Sequence, residues 1–381
     1  MLPFPIMNTY GNTVIKSTIK KLTSSVQTIG LLYTNGNLYM RGTNSQNAFG
    51  MAGGSPTTWT LVKTDVDDVW CGQSHTIVLL KNGEYWCTGF YRSLGLGSNP
   101  GTWVKYQSLH NLLTSTGTTI LQLCTGLNGT QAVLSNNAMY SIGYNGSCSL
   151  CPTGNNTSLT AWTASLTSVK KVSYCMNSSL VITTGNALRV IGNSDNYKLG
   201  SGNGVLTSWT TPTLPSGYSY VIDVHENYRD TFVYAAADST GTNARFLLAG
   251  YNGLNTLGLV PYDNISSVQT YKAGTGSVSL KTFGSGWNTT AYNGLYTDGT
   301  SLYTSGNAGP RIGSSTPKTT GFTAVPYANS YSGLIDDFCT TGSGATGGCT
   351  FVLTNNNLYA IGATEWLGSD IYSLTLQNTP E

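Results

Sequence analysis

The chain has 381 residues, only 9% of them charged, and a formal net charge of +2, where typical soluble domains carry about 25% charged residues. So neutral a surface sets up no field strong enough to recruit nucleic acid or an anionic membrane. No run reaches the roughly 18 apolar residues of a membrane-spanning helix, and a composition with 46 Gly and 24 Tyr belongs to strands and turns rather than helices.

The chain opens with MLPFPIMNTYGN. It has no basic segment there, and Pro3 and Pro5 interrupt the apolar run, so it does not read as a secretory signal. Residues 1–14 are expected to be an N-terminal arm, with Leu2, Pro3, Phe4, Pro5, Ile6 and Met7 docking on a partner. Residues 15–381 are expected to be one domain.

From residue 31 onward a unit recurs. It is an apolar strand, a tight turn such as Asn-Gly, and a second short strand closing on glycine. The copies are 31–42 (LLYTNGNLYMRG), 78–89 (VLLKNGEYWCTG), 133–143 (VLSNNAMYSIG), 181–192 (VITTGNALRVIG), a stretched copy at 232–250, 294–306 (GLYTDGTSLYTSG) and 351–362 (FVLTNNNLYAIG). The closing glycines, Gly42, Gly89, Gly143, Gly192, Gly250, Gly306 and Gly362, are 47 to 58 residues apart. A strand-built unit repeating about every 50 residues predicts a β-propeller. The expected fold class is therefore all-β: seven four-stranded antiparallel blades, in a ring closed by both termini. Segments 14–22 and 372–377 should lie side by side in one composite sheet, because an open ring leaves strand edges unpaired.

Within each unit, the pairs Asn35-Gly36, Asn82-Gly83, Asn136-Asn137, Asp298-Gly299 and Asn355-Asn356 are expected to form two-residue I′ hairpin turns. Leu-Gly or Ile-Gly shortly after the closing glycine should plug an apolar side chain under a loop. Trp59, Trp103, Trp162, Trp209 and Phe322 follow their closing glycines by 14 to 19 residues. A repeated aromatic position reads as a repeated packing solution between blades. The alternative is a ring of exposed indoles stacking on sugars.

Cys71, Cys124, Cys175 and Cys339 recur at one phase and read as buried strand residues. Cys148 and Cys151 form a single CxxC with no second pair and no nearby His, short of the four ligands of a zinc site. Whether Cys148/Cys151 or Cys339/Cys349 form disulfides is open. His75 precedes a repeat strand and reads as structural. Asp223 and His225 would share a strand face, but spacing fixes no nucleophile beside them. Asp65, Asp67, Asp68, Asp336 and Asp337 recur at one phase and read as solvated strand entries.

Repeat two carries Val69, Cys71-Gly72, His75-Thr76, Leu80, Asn82-Gly83, Tyr85, Gly89 and Leu94-Gly95. This pattern resembles the regulator of chromosome condensation repeat. Other copies keep its tail: Gly192-Asn193 to Leu199-Gly200, Gly250 and Asn252 to Leu257-Gly258, Gly306-Asn307 to Ile312-Gly313, and Gly362 to Leu367-Gly368. The resemblance covers about residues 15–377 and implies a seven-bladed propeller. His-Thr stands only in repeat two, and the charge of a nucleotide-exchange or chromatin-binding member is missing. No exchange-factor residue carries over.

No motif points to a catalytic residue, a cofactor or a metal. The expected function is a non-enzymatic structural or interaction propeller, a bacteriophage virion protein of the capsid-decoration or tail-associated kind, docking on other virion proteins. The alternatives are a cellular interaction module binding a GTPase or chromatin, and a host-attachment propeller binding a surface glycan. Nucleic acid and membrane insertion are not expected. The expected location is the virion, or else the cytoplasm or the exterior without a signal peptide.

Overall fold

The structure, a computed structural model, describes residues 17–25, 28–226, 229–252, 257, 267–273, 293–306, 309–328, 333–342 and 348–381. Each repeat folds as an antiparallel meander whose strands pair in chain order. The first blade is Ile19–Ser24, Thr28–Tyr33, Leu38–Gly42 and Thr60–Lys63, and the second Val66–Cys71, His75–Leu80, Tyr85–Gly89 and Val104–Lys105. The third is Ile120–Thr125, Gly129–Leu134, Met139–Tyr144 and Ser158–Leu166, and the fourth Val169–Tyr174, Ser178–Thr183, Leu188–Asn193 and Val205–Thr210. The fifth is Tyr220–Glu226, Asp230–Ala236, Arg245–Tyr251 and Ser267–Ala273. The C-terminal blade is Asp337–Thr341, Cys349–Thr354, Asn357–Gly362 and Ile371–Leu376.

The all-β propeller of four-stranded antiparallel blades is present, with one correction of count. Six sheets are complete four-stranded blades, against the seven expected. Between the fifth and the C-terminal blades, Asn293–Thr297, Leu302–Gly306 and Lys318–Ala324 make a three-stranded sheet. By the repeat spacing its first strand would fall within 274–292, outside the described residues.

The second strand of a blade has both faces covered by neighbouring blades. Thr28–Tyr33 and Gly129–Leu134 are buried at every position. Such a strand needs small or apolar residues on both faces, hence runs like TIGLLY and SSLVIT rather than strict alternation. Fourth strands are half-exposed and read polar, as in SLTAWTASL. The core is a series of apolar seams between blades. In one, Leu32, Leu38 and Met40 of the first blade meet Val66, Val69 and Val78 of the second. The aromatics sit where the sequence put them. Trp103, Trp162 and Trp209 are half-buried against the first three seams and Phe322 against the seam after the fifth blade, and Trp59 joins the seam between the first and C-terminal blades.

Ring closure differs from expectation. Among the described residues no composite sheet joins the termini, and every sheet is one contiguous stretch of chain. The first strand of the first blade instead packs side-on against the C-terminal blade. The Leu22 N–H donates to Asp337 Oδ2 at 3.1 Å, and Ser24 Oγ donates to the Thr340 carbonyl at 2.9 Å. Leu22, Ile29 and Leu31 pack with Phe351, Leu358 and Ala360. The tail adds a clasp: Glu381 accepts from Asn35, Asn37 and Tyr39 at 2.8, 2.7 and 3.1 Å. A blade with four strands of its own has no vacant edge for a distant strand, so closure falls to side chains and seams.

The hairpin turns are also corrected. At Asn35-Gly36 the Gly36 N–H bonds the Tyr33 carbonyl while the Tyr33 N–H bonds the Asn37 carbonyl, both at 2.9 Å, and Gly36 has φ +96°. That is a three-residue loop with one left-handed residue. Asn82-Gly83 and Asn136-Asn137 repeat this pattern. At Asn355-Asn356 both residues have positive φ, 46° and 61°, as an I′ turn requires. Among the closing glycines, Gly143 shows why the residue is fixed: φ is +119°, and an added Cβ would lie 2.5 Å from the Asn128 carbonyl oxygen.

The plug reading holds at Leu94, Leu199, Leu257 and Ile312, which are fully buried, while Leu367 is only half-buried. Phe49 and Leu150, which the Leu-Gly pattern misses, are fully buried at the same place in their loops. An asparagine two residues after the closing glycine pins the loop: Asn44 Oδ1 accepts from the Phe49 N–H at 2.9 Å and Asn145 Oδ1 from the Leu150 N–H at 2.8 Å. A hydroxyl from the next blade then staples the loop. Thr130 donates to the Ser93 carbonyl (3.2 Å), Ser179 to Ser149 (2.5 Å) and Thr350 to Arg311 (3.1 Å). A ten-residue helix interrupts the pattern, Gln107–Thr116, burying Leu109 and Leu112.

Candidate functional site

The first strands of the first five blades line a central cavity of about 310 Å3. Near the start of each, at one equivalent position, stands a polar side chain: Lys21, Asp68, Gln122, Lys171 and Asp223. A register shift at this point in the first, second, fourth and fifth blades re-aims the side chain. These residues pair blade to blade. Lys21 Nζ is 2.7 Å from Asp68 Oδ1, and Lys171 is ion-paired with Asp223. Gln122 exchanges two hydrogen bonds with the Val172 backbone at 2.8 and 2.9 Å. Asp337 holds the Leu22 N–H at the closure seam. Asp68 and Asp223 also accept from the next backbone N–H, Val69 and Val224, each at 2.7 Å.

The sequence reading of the acidic residues is corrected in part. Asp67 and Asp336 are surface groups, the first paired with Lys20 at 2.5 Å and the second accepting from the Asn355 N–H. Asp68 and Asp337 bridge blades. The signal that could have found this belt lay in alignment of the repeats. Oppositely charged or amide side chains fall at one position in successive copies, and a pair becomes visible only once neighbouring blades are known to touch there.

Asp223 and His225 do come from one strand, but Asp223 serves Lys171. His225 lines the cavity, its basicity lowered to about 4 by burial while Asp223 pulls the other way. Beneath it, Glu226 is buried with Lys198, 4.0 Å apart. Glu226 accepts from the Cys175 N–H at 2.9 Å and from Ser178 Oγ at 2.7 Å. Burial pushes its carboxyl up to about 7 against the pull of Lys198 and those hydrogen bonds. The cost of taking both charges out of water offsets much of their mutual attraction.

His75 is fully buried, with Nε2 3.2 Å from Thr130 Oγ1. All eight cysteines are free thiols, and seven are buried. Cys339 and Cys349 face Phe351 and Thr341 across the ladder rather than each other. Cys148 and Cys151 lie in a plug loop whose centre is Asn145. Among the described residues no group of three or more His, Cys, Asp and Glu side chains is placed to hold a metal ion, and no helix is long and apolar enough to cross a membrane. The arm residues Leu2, Pro3, Phe4, Pro5, Ile6 and Met7 lie outside the described residues.

The meander sorts the connections onto two faces. Hairpin turns between second and third strands leave one face, and loops after the third strand leave the other. Loops 43–59, 90–103, 145–157, 194–204 and 363–370 therefore share a face.

No protein-family model and no curated protein matches the chain. Solved structures do. Prp20p from Saccharomyces cerevisiae, described with its binding properties to Gsp1p and histones, aligns with a TM-score of 0.70 at 15% identity, over 92% of this chain and 87% of that one. Yeast RCC1 (Prp20) in a structure with Kap60 aligns at 0.69 and 15%, over 91% and 84%. Human WBSCR16 aligns at 0.67 and 14%, over 86% and 85%. At such identities the likeness is one of fold alone: the chain shares the β-propeller of these proteins.

Proposed function

We propose that this chain is a non-enzymatic interaction propeller that binds a protein partner through its loop face. The ring is its scaffold, and the three-stranded sheet takes the sixth of seven places in it. That placement draws support from apolar seams on both its sides, to Phe232, Phe246 and Leu248 of the fifth blade and to Phe338, Val352 and Ile361 of the C-terminal blade.

The observation that carries the reading is how the inner-wall charges are used. Lys21, Asp68, Lys171 and Asp223 are spent on neighbouring blades, which leaves the loops to differ from blade to blade. The fold neighbours whose names mention Kap60, Gsp1p and histones support a protein as the class of partner. Histones themselves fit poorly, since a net charge of +2 offers a basic partner no counter-field. Recognition should instead rest on hydrogen bonds and apolar contact, with a standard interface of about 1,600 Å2.

The test is chemical cross-linking of the full chain in its native source, with the captured protein then produced pure and titrated by calorimetry. A stoichiometric complex cross-linked at loops 43–59, 90–103 or 145–157, barely weakened by added salt, is expected. A complex that dissolves on moderate salt, or cross-links confined to the hairpin face, would overturn the reading.

A second reading places the protein on a virion, among other virion proteins. The 9% charged composition favours it. Mass spectrometry of purified particles tests it, and absence of the chain from them would dismiss it.

A further inference from the structure

Two residues that no other copy of the repeat shares at their positions meet at ring closure. The residue before the closing glycine is Thr88, Ile142, Ile191, Ala249, Ser305 or Ile361 in six copies and Arg41 in the first. The residue before the plugging side chain is Ala48, Ser93, Ser149, Lys198 or Arg311 in five loops and Trp366 in the C-terminal one. The first and C-terminal blades abut at ring closure, so Arg41 and Trp366 face each other across that seam on the loop side. Scaffold periodicity requires neither residue.

The Arg41 guanidinium lies 5.5 Å from the Trp59 ring centre and 5.9 Å from that of Trp366, and its Nη2 donates to the Trp366 carbonyl. Among the described residues no carboxylate is within ion-pairing distance of it, although burial lowers its basicity. Beside it opens a pocket of about 210 Å3 walled by Trp366 and rimmed by Thr43, Ser55 and Thr57. Among the described residues Arg41 is its one charged wall. Neither the Thr43 nor the Thr57 hydroxyl is bonded within the described protein, and Ser55 Oγ accepts only from the Asn44 N–H at 3.1 Å.

We propose that this pocket binds a single pyranose residue bearing a carboxylate. A guanidinium with N–H donors to spare presents the planar fork that matches a carboxylate. An indole wall suits the C–H face of a sugar ring, and neutral hydroxyls at the rim suit its OH groups. One cation balances one carboxylate but leaves a phosphate dianion half compensated. The volume lies below the roughly 300–1,000 Å3 of drug-sized ligand sites, which fits one ring rather than an extended chain. This inference does not rest on the protein-partner reading, and either can fail without the other.

The test titrates the full chain by tryptophan fluorescence and saturation-transfer NMR. The probes are methyl glucuronide and N-acetylneuraminic acid, their methyl esters, methyl glucoside and inorganic phosphate. Saturable binding of one or both acids in about the millimolar range is expected, and which acid binds separates uronic from sialic sources. The esters, the glucoside and phosphate should bind at least about tenfold more weakly, as should the acid to Arg41→Met and Trp366→Leu. Should Arg41→Met not fold, Trp366→Leu decides. No response at about 20 mM acid, equal response to acid and ester, phosphate binding alone, or full binding by the folded variants would each overturn the proposal.

Discussion

His75 makes the ring acid-sensitive, and the size of the effect follows from its surroundings. The imidazole is fully buried, Nε2 sits on Thr130 Oγ1, and Nδ1 has no hydrogen-bond partner. A second ring proton would be buried without an acceptor, and burial lowers the basicity to about 3, against about 6.5 in an unfolded chain. With the folded value depressed, the stability is present above about pH 6.5 and lost as the pH falls towards 3. At pH 5 the loss is about 1.5 pH units at 1.36 kcal/mol each, or about 2 kcal/mol. Glu226 acts in the opposite sense. Its carboxyl is raised to about 7, so its ionised form is disfavoured in the fold and stability rises as the pH falls from about 7 towards 4.5. The two partly mask each other, so the decisive quantity is the difference between parent and His75→Asn in urea unfolding at pH 7.5 and pH 5.0. The variant should start weaker yet lose about 2 kcal/mol less on acidification. A variant that loses as much as the parent would refute the assignment.

Other expected outcomes concern packing, closure and thiols. Trp103→Ala, which removes a half-buried ring from the seam between the first two blades and its 3.0 Å bond to the Val62 carbonyl, should cost about 3 kcal/mol in chemical denaturation. Glu381→Ala, which leaves Asn35, Asn37 and Tyr39 without their common acceptor, should cost about 1 kcal/mol and lower the melting temperature. Thiol titration in denaturant without reductant should return all eight cysteines free. Reductant should leave the melting curve in place, where a lost disulfide would shift it by about 2–4 kcal/mol of stability.

The parts of this molecule legible in the sequence are those that each blade decides for itself. Leu94-Gly95, Leu199-Gly200 and Ile312-Gly313 each specify a plug through one fully buried side chain. The tryptophans in or immediately before the fourth strands were readable because an aromatic at a fixed phase has one packing solution. What stayed hidden depends on two blades at once. Lys171 and Asp223 are 52 positions apart, and neither looks paired until the ring brings them together. The composite closing sheet was a fair inference from the danger of open edges, but each terminal blade already had four strands. The Gln107–Thr116 helix was hidden because its apolar pair, Leu109 and Leu112, is short and lies inside a strand-dominated stretch. Asn355-Asn356 forms the expected I′ turn, whereas Asn35-Gly36, Asn82-Gly83 and Asn136-Asn137 do not, because such a pair serves a three-residue loop as well as a two-residue one. Arg41 and Trp366 were legible only as departures from a repeat, and their meeting required closure.

Side-on closure of the ring is what the Asp337–Leu22 bond, the Glu381 clasp and the Arg41 pocket all depend on. An experimental structure of the full chain by crystallography or electron cryomicroscopy tests it most directly. The expected result is Ile19–Ser24 and Asp337–Thr341 side by side in separate sheets, with Ser24 Oγ on the Thr340 carbonyl. A strand from one terminus hydrogen-bonded into the other terminal sheet, or a gap between the two blades, would contradict it.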